Sequence, residues 1–86
     1  MAKIVIYTTR TCSYCYSAKS LLARKGAIYD EIDVSHDPAE RQRMTAKAGG
    51  IRTVPQIFIG ETHVGGSDEL HELELRGRLD PLLTAS

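Results

Sequence analysis

The chain has no tryptophan, one phenylalanine and only two cysteines in 86 residues. That scarcity removes several classes of protein at once. A structural zinc site takes about four ligands, and His36, His63 and His71 stand in no ligand spacing with one another or with the cysteines. Covalent haem attachment needs a histidine directly after the second cysteine, and Tyr16 is there instead. Charge of one sign is also lacking. Eleven basic residues balance eleven acidic ones, so no broad field draws the chain to nucleic acid or to an anionic membrane. No apolar run approaches the length of a membrane span. Met1-Ala2-Lys3 leads straight into apolar residues without the basic, apolar and cleavage regions of a secretory signal. The expectation is one small domain over residues 1–86, in the reducing cytoplasm.

What is present is concentrated. Both cysteines lie in Cys12-Ser13-Tyr14-Cys15, just after the strand-like run Ile4-Val5-Ile6-Tyr7 and at the opening of a helix-like run, Ala18 to Lys25. A strand followed by C-x-x-C at a helix start is the pattern of thiol–disulfide exchange. Unpaired backbone N–H groups and the positive end of the helix dipole favour thiolate at Cys12, and the thiolate is the nucleophile. Cys15 follows about one helical turn later, within reach to resolve a mixed disulfide. A purely structural disulfide spanning two residues would close too small a loop to stabilise much.

The remaining elements follow from local pattern. Ile4 to Thr8 is a short β-branched and aromatic strand, suited to burial on both faces. Thr11 or Cys12 caps the next helix, in which Cys15, Ala18, Leu21 and Leu22 share one face, and Gly26 stops it. Ile28 to Val34 is expected as a second strand, parallel to the first because a helix crosses between them. Asp37-Pro38-Ala39-Glu40 carries the N-cap, first-turn proline and capping-box glutamate of a second helix, which ends at Gly49-Gly50. Gln56 to Ile59 and Thr62 to Val64 form a hairpin about Gly60-Glu61. Gly65-Gly66 breaks the strand, and Ser67 is expected to cap a third helix with Asp68 and Glu69 in its first turn. Leu79 to Leu83 adds a short helical turn. The order βαβαββα implies an α/β domain with a four-stranded mixed sheet and helices on both faces.

Four motifs coincide on that order: Cys12-Ser13-Tyr14-Cys15, Thr53-Val54-Pro55, Gln56-Ile57-Phe58-Ile59-Gly60, and Gly65-Gly66-Ser67-Asp68-Glu69-Leu70. Together they resemble the small bacterial dithiol glutaredoxins, which have the thioredoxin fold. The likeness runs over essentially the whole chain, including Arg78-Leu79-Asp80-Pro81-Leu82-Leu83. Ser13 replaces the family's usual proline, and the lysine often found before the first cysteine is missing, with Arg10 the nearby cation. Tyr16 stands where a basic residue is common, and Ser67 where cysteine is common.

The resemblance implies a glutathione-dependent disulfide oxidoreductase acting on disulfide-bonded or glutathionylated proteins, with Cys12 and Cys15 catalytic. It implies a cis peptide at Val54-Pro55 and a binding surface for glutathione. Tyr14 would flank the tripeptide, and the backbone of Val54, beside Thr53 and Pro55, would pair with it as in strand addition. The start of the third helix at Gly66, Ser67 and Asp68 would receive the γ-glutamyl end. Arg10 serves either the thiolate or a glutathione carboxylate, or is a solvated surface charge. Arg41 and Arg52 stand equally between the glycine carboxylate and plain surface charge. Ser13 either donates toward the thiolate or is a neutral helix-start residue. The three histidines are expected to be ordinary. An alternative follows from Ser13: a [2Fe–2S] cluster bridging two subunits, with Cys12 and glutathione supplying thiolates. The Cys-Gly-Phe-Ser site of dedicated cluster carriers is absent and Cys15 is present to trap Cys12, which weighs against the cluster as the main role. A monomer is the default expectation, since no unexplained hydrophobic stripe is apparent. A thioredoxin-like reductase is weakened by the missing tryptophan before the cysteines.

Overall fold

The computed structural model describes residues 2–84. Its elements are β1 (Ile4–Thr8), α1 (Ser13–Arg24), β2 (Asp30–Asp33), α2 (Pro38–Lys47), β3 (Gln56–Ile59), β4 (Thr62–Gly65), α3 (Ser67–Leu75) and α4 (Leu79–Thr84). The sheet order is β2-β1-β3-β4. β1 and β2 are parallel, paired from Val5 with Asp30 to Thr8 with Asp33. β1 and β3 are antiparallel, paired from Ile4 with Ile59 to Tyr7 with Gln56. β3 and β4 form the expected hairpin, irregular between Ile57 and Phe58.

The alternation of side chains along the central strands divides the interior in two. Ile4, Ile6, Ile57 and Ile59 face one way and pack with Ala18, Leu21 and Leu22 of α1, Leu70 of α3, and Leu79 and Leu83 of α4. Tyr7 faces the other way, with Val34 and with Met44 of α2, and Val5 and Phe58 border that smaller cluster. The apolar face read from α1 is the buried one: Cys15, Ala18, Leu21 and Leu22. A fully buried leucine such as Leu22 contributes about 2 kcal/mol, so α1 is held mainly by that stripe.

Three local expectations are revised. The second strand is shorter than Ile28 to Val34, because β2 is an edge strand whose ladder begins only opposite Val5, leaving Ile28 82% exposed. Asp37 does cap α2, its carboxylate accepting the Glu40 N–H at 3.0 Å. The reciprocal half of that capping box is not made, because the Glu40 carboxylate is taken by Arg43 one turn on. The third helix starts one residue too early for a Ser67 cap. Gly66 is the N-cap, in extended backbone, and Ser67 is the first helical residue.

This topology places three chain segments at one edge of the sheet. β1 ends there and runs into Cys12. β3 is antiparallel to β1 and begins there, just after Pro55. β4 returns along β3 and ends there, at Gly65. Residues far apart in sequence therefore meet at a single rim.

Candidate active site

Cys12 is the N-cap of α1, and the backbone N–H of Cys15 donates to its Sγ at 3.0 Å. The same N–H favours the thiolate when the pair is reduced, as does the positive helix end. No acidic residue occupies the first turn of α1 to oppose this. The two cysteines are joined as a disulfide, with Cα atoms 5.2 Å apart. Their environments differ sharply. Cys15 is 1% exposed, whereas Cys12 is half-buried and reaches the surface. That asymmetry suits Cys12 to meeting a substrate and Cys15 to acting from within.

The Val54–Pro55 peptide is cis, and the Val54 carbonyl oxygen lies 3.8 Å from Cys12 Sγ. Val54 precedes the β3 ladder, whose first paired residue is Gln56. Beside it a cavity of about 270 Å³ opens between Tyr14, the Thr53-Val54-Pro55 segment and the start of α3 at Gly66, Ser67 and Asp68. Seven of the residues singled out from sequence are thus brought to one place beside the redox pair. Tyr14, 63% exposed, forms its outer edge.

The floor at α3 holds a residue that sequence reasoning passed over. The Glu69 carboxylate accepts the Gly66 N–H at 2.7 Å, and Glu69 also lines the cavity. Its sequence signal is its place three residues after Gly66, the N3 position of a capping box, beyond the dipole role expected of it. Glycine at the N-cap offers no side chain to the first-turn amides of Ser67 and Asp68, so that helix start remains available to an anion. Ser67 is turned inward, 5% exposed, with its Oγ 3.3 Å from His71 Nδ1.

Arg10 is exposed and does not line the cavity. Its backbone N–H donates to Ser35 Oγ at 2.9 Å, tying the loop before Cys12 to the loop after β2. The side-chain and backbone hydrogen bonds of Ser35 hold the Asp33 carboxyl below the usual carboxylate range, with a smaller contribution from the Arg10 charge. Arg41 and Arg52 border a separate, larger groove of about 710 Å³ against α2, where Arg41 Nη2 donates to the Arg52 carbonyl at 3.0 Å. On the edge strand β2, Thr8 Oγ1 and Lys19 Nζ both donate to Glu31 Oε2, at 2.7 and 2.9 Å. Lys19 first, and Thr8 second, hold the Glu31 carboxyl down. The bridged-cluster alternative finds no support. Cys12, the one thiolate this chain would lend to such a cluster, is joined to Cys15.

A two-cysteine helix start facing a proline-edged rim on a four-stranded mixed sheet defines a thiol–disulfide oxidoreductase of the thioredoxin-like fold. The glutaredoxin family model matches residues 4–64. A curated glutaredoxin of Pseudomonas aeruginosa is 55% identical over 99% of this chain and all of its own length. Among solved structures, the glutaredoxin of Brucella melitensis is 53% identical with a TM-score of 0.85, over 96% of this chain and 89% of that one. A buckwheat glutaredoxin–glutathione complex is 34% identical with a TM-score of 0.87, over 96% of this chain and 77% of that one. The chain belongs to the glutaredoxin family. No helix among the described residues is long and apolar enough to cross a membrane.

Proposed function

We propose that the chain uses glutathione to reduce protein disulfides and protein–glutathione mixed disulfides. The observation that carries this reading is the cavity beside Cys12, walled by the Val54 backbone on one side and the open start of α3 on the other. An extended tripeptide has a backbone to pair at Val54 and a charged γ-glutamyl end to place at Gly66, Ser67 and Asp68, while Tyr14 covers its flank. The structural neighbour solved with glutathione supports the same ligand.

In the monothiol route, the Cys12 thiolate attacks the glutathione sulfur of a mixed disulfide. The Cys12–glutathione bond forms, and the protein thiolate leaves and takes a proton. The thiolate of a second glutathione then attacks that bond, releasing glutathione disulfide and regenerating the Cys12 thiolate. In the dithiol route, Cys12 attacks a protein disulfide, Cys15 displaces the protein thiol, and two glutathiones reduce the resulting Cys12–Cys15 bond. Glutaredoxin potentials of about −200 to −230 mV lie near that of the glutathione pool, so a glutathione-rich cytoplasm is the compartment that suits this chemistry. Burial of Cys15 and exposure of Cys12 favour Cys12 as the attacking group in both routes.

The test is glutathione-dependent turnover of a small glutathionylated disulfide, coupled to NADPH and glutathione reductase. Cys12→Ser should be inactive by at least about a thousandfold, as for loss of a covalent nucleophile. Cys15→Ser should retain this activity and lose reduction of an intramolecular protein disulfide. Substantial turnover by Cys12→Ser, or a silent wild type, sinks the proposal.

A further inference from the structure

Gln56 follows directly on the cis Val54–Pro55 unit and is 2% exposed, an unusual burial for a primary amide. Its Nε2 donates to the Thr53 carbonyl at 3.0 Å and to Thr53 Oγ1 at 3.3 Å. Its Oε1 lies 2.7 Å from Nε2 of His63 on β4. The chemistry of these groups determines their orientation. A backbone carbonyl only accepts, so the amide nitrogen must face Thr53 and the amide oxygen must face His63. His63 must then carry its proton on Nε2, leaving Nδ1 as its basic nitrogen. The imidazole is itself held in place. It stacks on Phe58 with centroids 4.8 Å apart and 25° between planes, and Phe58 meets Tyr7 edge-on at 5.9 Å. The hairpin register pairs Phe58 with His63, which sets the ring over its partner.

We propose that His63, acting through Gln56, is a positioning residue for the Thr53-Val54-Pro55 wall of the glutathione cavity. This rests on the reading of that cavity given above. A donor at His63 Nε2 locks the Gln56 amide with its NH2 toward Thr53. Without that donor the buried amide oxygen has no partner, the side chain shifts to recover one, and its hold on the Thr53 segment that pairs with the ligand weakens. The effect falls on capture of the glutathionyl group and not on the sulfur chemistry, because neither residue approaches Cys12 in the contacts described. Loss of one buried hydrogen bond in such a chain corresponds to roughly a five- to tenfold change.

The experiment compares His63→Phe, His63→Gln and Gln56→Leu with wild type in steady-state turnover of a glutathionylated peptide. His63→Phe keeps the aromatic stack and removes the donor, and His63→Gln restores a donor. The expected result is a five- to tenfold rise in KM for His63→Phe and Gln56→Leu with kcat within twofold. His63→Gln should lie near wild type, and the double variant that combines His63→Phe with Gln56→Leu should be no worse than Gln56→Leu alone. A wild-type KM for His63→Phe, no rescue by His63→Gln, or additive losses in the double variant would overturn the proposal. If Gln56→Leu does not fold, the two His63 variants decide the matter. A second readout is independent of turnover: the Gln56 side-chain NH2 should give a shifted, solvent-protected NMR pair in wild type that collapses in His63→Phe. An inactive wild type would count against the proposed function, whereas an unchanged Gln56 NH2 signal in His63→Phe would overturn the positioning role.

Discussion

Gly65→Ala tests how the rim of the cavity is built. Gly65 has φ +111°, and an added Cβ would fall 3.0 Å from Glu69 Oε1 and 3.2 Å from Glu69 Cγ. Two costs arise. Holding alanine in that backbone region costs about 1–2 kcal/mol. Moving the Glu69 side chain aside sacrifices its hydrogen bond to the Gly66 N–H, about 1 kcal/mol at an exposed helix start. Reduced freedom of the unfolded chain returns about 0.5 kcal/mol. The net loss is about 2 kcal/mol, or roughly 10 °C in Tm for a domain of this size. Gly60→Ala is the control: φ is +59° and an added Cβ meets nothing within 4 Å, so only the backbone cost applies. Urea melts of both variants, with and without Glu69→Ala, separate the terms. The Glu69→Ala background should recover about 1 kcal/mol of the Gly65→Ala loss and none of the Gly60→Ala loss. Equal losses for the two glycine variants, or no coupling to Glu69, would refute the reasoning. Because Gly66 and Glu69 line the cavity, Gly65→Ala should also lower kcat/KM, beyond any loss in Gly60→Ala.

Two other perturbations follow from the packing. Met44 is the only buried residue of α2 and is fully enclosed with Tyr7 and Val34, so Met44→Ala should cost about 2–4 kcal/mol in chemical denaturation and raise hydrogen exchange first in α2. Glu31, held down by Lys19 and Thr8, has a folded pKa below its unfolded value. Its stabilisation is therefore fully present above the ordinary carboxylate pKa and is lost as pH falls from there through the lowered folded-state pKa. Glu31→Gln should lower stability modestly at pH 7 and leave it closer to wild type at pH 3, a difference read from urea midpoints at the two pH values, since the pair is partly exposed and screened.

Much of this architecture is local and was open to reading from residue order. The bounds of β1 and β3, the buried face of α1, the Asp37-Pro38 start of α2 and the cysteine pair at a helix start each depend on residues within about one turn or one strand of each other. Their periodicity and capping chemistry require no knowledge of distant neighbours. The clustering of Tyr14, Thr53 to Pro55 and Gly66 to Asp68 was anticipated through family resemblance, and the cavity places those residues together. Arg10 stands beside them in the sequence as the cation two residues before Cys12. Its backbone N–H is tied to Ser35, a contact between distant loops that no local pattern encodes. Ser67 has the composition of an N-cap, but the extended conformation of Gly66 starts the helix first, and the hydroxyl turns inward to His71.

Histidines taken as ordinary acquire partners only when strands pair. His63 meets Gln56 across the β3–β4 hairpin and stacks on Phe58, and the strand irregularity between Ile57 and Phe58 lies within that same hairpin. The length of β2 likewise depends on where β1 offers it a partner. Helix starts, buried stripes and the redox pair are written in short-range order, since their energies come from backbone propensity and burial patterns. Which carboxylate covers an amide, which loop a backbone N–H ties down and which imidazole orients an amide are contests among groups brought together by the sheet. Those contests are settled by distances and desolvation that exist only after the chain has folded.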